Sequence, residues 1–268
     1  MNQPDISIIT PTLNYGRFIL DTLRSVHLHN QACVEHIIID GGSTDDTAKI
    51  VSDFRKKYSA NIIFVEDKGS NMYGAINIGL SMMKGNVWAC LNSDDCYAEG
   101  AIDYVKDRFG SDPHLRAIVG SLVMIDENSE YLCTRYTITP NKKRLLTMKK
   151  ATIFPQPASF FHRDVFDRVG CFNTDFTYAA DYDYFIRVCD NFDVAKTDTI
   201  LTKFRRHSSA LSSHSKQAIE STAIASFYKR NSSSEYVRRY AYWTIFWLIN
   251  FRWENSAKIK EKIQRLFL

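Results

Sequence analysis

An α/β fold built on a mostly parallel sheet flanked by helices, with a helical C-terminal extension, follows from three features of the sequence. Short apolar runs alternate with segments of helical periodicity through the N-terminal part of the chain. The runs are apolar at nearly every position, as strands covered on both faces must be. Each run ends in polar residues: Thr10 and Thr12, Asp40, Glu66 and Asp67, then Asp94 and Asp95. Right-handed crossovers make such strands parallel and gather their C-terminal ends on one edge, so these groups are expected around a single crevice.

Ile6 to Asn14 reads as the first strand and its exit loop, with Pro11 at the strand end. Tyr15 to Leu28 follows with Phe18, Ile19, Leu23 and Val26 on one helical face. Glu35 to Asp40 is the second strand. Gly41 and Gly42 permit a tight turn, and Ser43, Thr44 or Asp45 can cap a helix running to Tyr58. Asn61 to Asp67 is the third strand, and a helix from about Met72 to Met83 leads to the fourth, Val87 to Leu91.

Asn92-Ser93-Asp94-Asp95 breaks that strand with turn formers. Adjacent carboxylates repel one another unless something positive lies beside them. A divalent cation held by oxygen ligands is one solution. The other is a solvated turn in which Asp94 or Asp95 caps the helix beginning near Ala98.

Further on, Ala117 to Ile125 suits another strand and Glu130 to Thr139 its hairpin partner. Lys142, Lys143, Arg144, Lys149 and Lys150 form a basic cluster that a solvated helix face explains better than a phosphate role. Around Tyr178 to Val188, helical spacing turns Tyr182, Phe185, Ile186 and Cys189 toward a core and leaves Asp181 at or near the helix start, where capping is its plain structural role.

Composition narrows the function. With 268 residues, 45% hydrophobic and 24% charged, the chain suits one sizeable core and an appendage rather than a disordered segment. The net charge of +4 is unevenly placed: residues 228–268 carry nine Lys or Arg against three acids, so the remainder is slightly acidic. Basicity confined to one segment argues against nucleic-acid binding. That segment also holds Tyr240, Trp243, Phe246, Trp247, Phe251 and Trp253, which suits either an interfacial helix on an anionic membrane or a hairpin packing its aromatics on protein. The apolar-rich stretch 240–251 is too short to span a bilayer. Six scattered cysteines without a Cys-x-x-Cys pair, and no secretory signal, fit reduced thiols in a cytoplasmic protein. Neither G-x-G-x-x-G after the first strand nor a P-loop is present, which disfavours a dinucleotide fold and a P-loop NTPase.

Four motifs in order, Ile6-Ser-Ile-Ile-Thr-Pro-Thr-Leu-Asn14, Ile39-Asp-Gly-Gly-Ser-Thr-Asp-Asp-Thr47, Asp67-Lys-Gly with Asn77-Ile-Gly, and Leu91-Asn-Ser-Asp-Asp95, resemble family 2 glycosyltransferases of the GT-A fold. Bacterial enzymes of surface-polysaccharide assembly are the nearest type, and the resemblance covers roughly 6–212. It implies a nucleotide-sugar donor, usually UDP-linked, and Mn²⁺ or Mg²⁺ as cofactor. Thr10, Pro11 and Thr12 would border the nucleotide, Asp40 would meet the base or ribose, and Asp67 the uracil edge; Asn77 belongs to a less regular donor contact. Asn92, Ser93 and Asp94 stand at the D-x-D positions with Asn for the first acid, which puts the metal on Asp94, with Asp95 as alternative. The resemblance further implies Gln156 beneath the donor sugar, Asp181 as catalytic base, with Asp183 a weaker candidate and Ala180 where an acid is common, and His207 near metal and diphosphate. Arg205 or Arg206 would meet phosphate oxygens.

The expected protein is therefore an inverting glycosyltransferase with a catalytic domain over 1–212 and an aromatic, basic extension over 213–268. Its acceptor would be a glycan, lipid-linked, and its contact with the inner face of the membrane peripheral. A sugar-phosphate nucleotidyltransferase and a catalytically silent nucleotide-sugar-binding protein are the alternatives.

Overall fold

The computed structural model describes residues 4–148, 154–208 and 216–228. The basic residues Lys149 and Lys150 and the aromatic tail beyond Tyr228 lie outside them. Strands β1 (Ile6–Thr12), β2 (Val34–Asp40), β3 (Ile62–Glu66) and β4 (Val87–Cys90) alternate with helices α1 (Ile19–His27), α2 (Thr47–Tyr58) and α3 (Met72–Met82). The chain continues through β5 (Cys96–Tyr97), α4 (Ala101–Ser111), β6 (Ala117–Ile125), β7 (Tyr131–Arg135), α5 (Lys142–Met148), β8 (Ser159–His162), α6 (Arg163–Val169), α7 (Ala180–Asn191), β9 (Val194–Arg205) and α8 (Lys216–Tyr228).

Among the described residues one sheet runs in the order β3-β2-β1-β4-β8-β6-β9-β5, with β7 paired to β6. β1 to β4 are mutually parallel, as are β6 and β9. β8 is antiparallel to both β4 and β6, so the second half of the sheet is mixed.

The uninterrupted apolar strands are explained by burial on both faces. Ile37 and Ile39 of β2 pack with Ile9, Tyr73, Ile76 and Leu80 beneath α3, while Ile38 packs with Ile19, Leu23, Val51 and Phe54 beneath α1 and α2. Gly79 lets α3 approach this closely: a Cβ there would meet Ile9 Cγ2 at 2.5 Å. Pro11 lies beyond the last β1–β4 pair, so its missing N–H costs no ladder bond on that side.

Two boundaries differ from expectation. α1 begins at Ile19 rather than Tyr15, because Tyr15 to Phe18 form a turn in which the N–H groups of Phe18 and Ile19 both bond the Tyr15 carbonyl. The helix after the acidic turn is preceded by Gly100, in the left-handed region at φ 71°, and β5 intervenes. Neither Asp94 nor Asp95 caps it.

Candidate active site

The four parallel strands end together and are stitched edge to edge beyond their ladders. The N–H of Gly41 bonds the Thr12 carbonyl at 2.8 Å, that of Asp67 the Asp40 carbonyl at 2.7 Å, and that of Leu91 the Ile9 carbonyl at 3.0 Å. Thr12, Asp40, Asp67 and the acidic turn are thereby gathered along one edge. Asn14 extends the stitching, its side-chain oxygen accepting from the Thr44 N–H at 2.8 Å.

Asp40 is buried and locally satisfied. Its Oδ2 accepts the N–H groups of Gly42 at 3.2 Å and Ser43 at 2.9 Å, and the Ser43 hydroxyl bonds its Oδ1. Gly42, at φ 90°, permits that hairpin return. Asp67 differs: Oδ1 makes a long bond to the Gly69 N–H, and Oδ2 is buried without a partner.

The acidic turn has two sides. Asp94 Oδ2 lies 2.8 Å from His207 Nε2, and the imidazole is only 3% exposed. Tyr15 meets that ring edge-on at 5.9 Å, and Phe18 lies 5.1 Å away. The loop after β1, the turn after β4 and the end of β9 therefore converge on one carboxylate–imidazole pair. Burial, reinforced by the charges of Asp94 and Asp95, pushes the Tyr15 phenol up to about 12.

Asp95 is tied to the end of β9 by one oxygen. Its Oδ1 accepts the Arg205 N–H at 2.9 Å, while Oδ2 is buried without a partner. Burial first, and the neighbouring Asp94 charge second, raise its carboxyl well above the ordinary range against the pull of Arg205.

Arg205 departs from expectation. Its side chain is 1% exposed and organises the turn from within rather than reaching toward a phosphate. Nε donates to the Asp94 carbonyl at 2.8 Å, one terminal nitrogen to Ser129 Oγ at 2.8 Å and the other to Asp21 Oδ2 at 3.2 Å. The guanidinium also lies 4.9 Å over the Phe18 ring. Arg206 is exposed. Because the whole fork is spent on fixed acceptors, Arg205→Ala should lower unfolding free energy by about 3 kcal/mol or more, the range for unpairing buried charged groups. Chemical denaturation measures it; a loss under about 1 kcal/mol, the size of an ordinary hydrogen bond, would mean that the turn holds without this side chain.

Other expected donor contacts have internal tasks. Thr10 Oγ1 lies 2.9 Å from Nε2 of His36, and burial, with His27 alongside, keeps that imidazole well below its ordinary range and neutral. Asn77 uses both ends of its amide on the Phe172 backbone, at 2.9 and 2.8 Å, clamping α3 to the loop before α7. Gln156 Nε2 donates to the carbonyl of Cys90, the last residue of β4, at 2.6 Å. Ser93 is buried, and Thr22 Oγ1 is within hydrogen-bond distance of the carbonyls of Ser93 and Asp95.

Asp181 sits in the first turn of α7, but the residue preceding the helix is Ala179 and no side chain of the helix caps it. Asp181 Oδ1 accepts from the Tyr182 N–H at 2.8 Å and from the Tyr73 hydroxyl of α3 at 3.3 Å. Burial outweighs these bonds and pushes the carboxyl up to about 6. Asp183 is committed elsewhere, to Arg187 Nε at 2.9 Å and the Tyr228 hydroxyl at 2.8 Å. Sequence reasoning identified neither Tyr73 as the partner of Asp181 nor Tyr15 as the neighbour of His207, since each meets its partner only through packing of distant segments.

Four of the buried side-chain atoms without a partner among the described residues belong to this edge: Thr12 Oγ1, Asp67 Oδ2, Asn92 Oδ1 and Asp95 Oδ2. A buried unpaired acceptor costs on the order of 1–3 kcal/mol, so such a cluster marks a surface built for hydrogen-bond donors or cations. No group of three or more His, Cys, Asp or Glu forms a cation cage among the described residues. The oxygen-rich turn with one imidazole offers donors that would suit a hard divalent ion.

A mostly parallel sheet flanked by helices, with its polar groups gathered at the strand ends, is the framework of a GT-A glycosyltransferase. Comparison with known proteins agrees: the chain belongs to the family described as Glycosyl transferase family 2, whose profile matches residues 7–170. A "PGL/p-HBAD biosynthesis glycosyltransferase" of Mycobacterium bovis is 29% identical over 192 residues, covering 71% of this chain and 72% of that protein. An uncharacterized glycosyltransferase of Rickettsia prowazekii is 24% identical over 213 residues, covering 76% and 65%. In fold, the chain is similar to Staphylococcus aureus TarS 1–349 in complex with UDP-GlcNAc, with a TM-score of 0.69 and 16% identity over 94% of this chain and 74% of that one. It is also similar to the mannosyltransferase PcManGT of Pyrobaculum calidifontis in complex with GDP-Man and Mn²⁺, with a TM-score of 0.62 and 17% identity over 93% and 72%. The matched profile ends before Asp181 and His207, so it does not reach the parts expected of those two residues. No helix among the described residues is long and apolar enough to cross a membrane.

Proposed function

We propose that the protein is an inverting glycosyltransferase that moves a sugar from a nucleotide-sugar, UDP-linked, to a hydroxyl of a lipid-linked glycan in surface-polysaccharide synthesis. The observation that carries this reading is the cluster of unpartnered acceptors at the strand ends, with Asp181 at its raised pKa as the candidate base. Asp67 and Thr12 offer acceptors to the base and ribose, and Asp40 shapes the turn between them. Asn92 and the Asp94–His207 pair face the diphosphate, with Gln156 under the sugar. Asp94, His207 and the free oxygen of Asp95 would hold Mn²⁺ or Mg²⁺, which as a Lewis acid neutralises charge on the departing diphosphate.

Asp181 accepts the proton of the acceptor hydroxyl as its oxygen attacks the anomeric carbon. The bond from that carbon to the diphosphate oxygen breaks, and its electron pair leaves with the nucleoside diphosphate. A single displacement without a covalent intermediate inverts the anomeric configuration, the logic shared with inverting carbohydrate enzymes. Residues 1–212 form the catalytic domain, and the basic, aromatic extension over 213–268 makes the peripheral contact with an anionic membrane.

One structural neighbour is seen with UDP-GlcNAc and another with GDP-Man, so the test compares both nucleotides. In a thermal-shift screen of UDP- and GDP-sugars with and without Mn²⁺, a ligand near 100 times its Kd should add about 2.7 kcal/mol and raise Tm by several degrees. The expected result is stabilisation by UDP-sugars that depends on Mn²⁺. Indifference to every nucleotide-sugar rejects the reading.

A further inference from the structure

Within the first turn of α7, Asp181 Oδ1 accepts the Tyr182 N–H, while Ala179 before the helix has no capping side chain. The N–H groups of the segment that leads into the helix take their acceptor from α8. Glu220 of α8 accepts the Thr177 N–H through Oε1 at 3.1 Å, and the N–H groups of Tyr178 and Ala179 through Oε2 at 2.7 and 3.0 Å. At the far end of α8, the Tyr228 hydroxyl donates to Asp183 at 2.8 Å. α8 thus grips α7 on both sides of Asp181. From the opposite side, α3 brings the Tyr73 hydroxyl to the carboxylate, and Asn71 Nδ2 donates to the Thr174 carbonyl at 2.9 Å.

We propose that Glu220 is a positioning residue for sugar transfer, in which the extension closes the turn that opens α7 and thereby sets Asp181 for proton abstraction. The inference rests on the reading of Asp181 as the base. Two physical effects act together. Three charge-assisted bonds hold residues 177–179 in one arrangement, and the base follows two residues later. In addition, Glu220 places a negative charge near Asp181, which helps to keep that carboxyl basic. The titratable groups facing Asp181 are Tyr73 from α3 and Glu220 from α8, while Asp183 of its own helix is turned to Arg187 and Tyr228.

Glu220→Gln keeps one acceptor oxygen and removes the charge; Glu220→Ala removes both. Turnover is read on the full chain as nucleoside diphosphate released, with Mn²⁺, from whichever UDP- or GDP-sugar raises Tm most. Misplacing a catalytic group by about 1 Å costs on the order of 100-fold, so kcat should fall roughly 10-fold in the Gln variant and 100-fold in the Ala variant with the donor KM little changed. The acid limb of kcat/KM should move to lower pH in both. Folded variants with wild-type kcat and acid limb overturn the proposal. So does a fall in kcat with an unmoved limb, or one matched by loss of donor binding, since a general folding role explains either. Should Glu220→Ala not fold, the Gln variant alone decides. Asp181→Asn is the reference: if it retains turnover, the base assignment fails as well, and if it is inactive beside normal Glu220 variants, only this inference fails.

Discussion

Asp181→Asn abolishes sugar transfer and leaves donor binding intact. General-base assistance contributes about 10²- to 10⁴-fold, and an amide cannot take a proton from the acceptor hydroxyl, so a loss of about 10³-fold in kcat is expected. The Asn oxygen can still accept from the Tyr182 N–H and the Tyr73 hydroxyl, so the geometry survives the change. In the unmodified enzyme, kcat/KM should rise with pH through about 6, because the base acts only when ionised. Stability runs the opposite way. The folded carboxyl titrates above its ordinary value of 3.8, so its contribution to stability is complete below that value and is lost as pH rises through about 6. Above pH 7 the buried charge is a cost, and Asp181→Asn should be more stable than the parent by roughly 1–3 kcal/mol. An inactive variant with a raised Tm separates a catalytic carboxylate from a structural one. Near-normal turnover in this variant would place the base elsewhere.

Asp94→Ala should have the second-largest effect, on the Mn²⁺-dependent part of donor affinity. Losing even an outer partner of a metal ligand costs about 10- to 100-fold, and removing the carboxylate itself should cost at least that much. It also strips His207 of its 2.8 Å partner. Asp94→Ala and His207→Ala should therefore be strongly non-additive, each removing much of what the other contributes. Calorimetric titration with a UDP-sugar, in Mn²⁺ and then in EDTA, measures both points. Equal affinity for parent and variant in Mn²⁺ would remove Asp94 from the donor site.

Much of this arrangement is legible in the sequence, for a simple reason. A strand buried on both faces is apolar along most of its length, so the first polar residue at its end marks the sheet edge, as Asp40, Glu66 and Asn92 do. What a run of apolar residues does not encode is which way a polar neighbour turns. Thr10 and Thr12 share one side of β1 by alternation, yet Thr10 is spent on His36 while Thr12 lies at the open end. Arg205 and Arg206 are adjacent and chemically identical, and only the three-dimensional path of β9 sends one into the interior and the other to solvent. The part of Glu220 is less legible still. The acceptor for the backbone that leads into α7 comes from about forty positions downstream, with no local pattern to announce it.

The tie between Arg205 and Asp21 spans 184 positions. During synthesis the acidic turn emerges early, but the side chain that braces it, and the imidazole that meets Asp94, leave the ribosome more than a hundred residues later. A half-made chain therefore carries the polar strand-end edge without its brace. If Asp94 and His207 serve the proposed transfer, competence for it arrives late in translation, and a prematurely ended product has little means of squandering activated sugar.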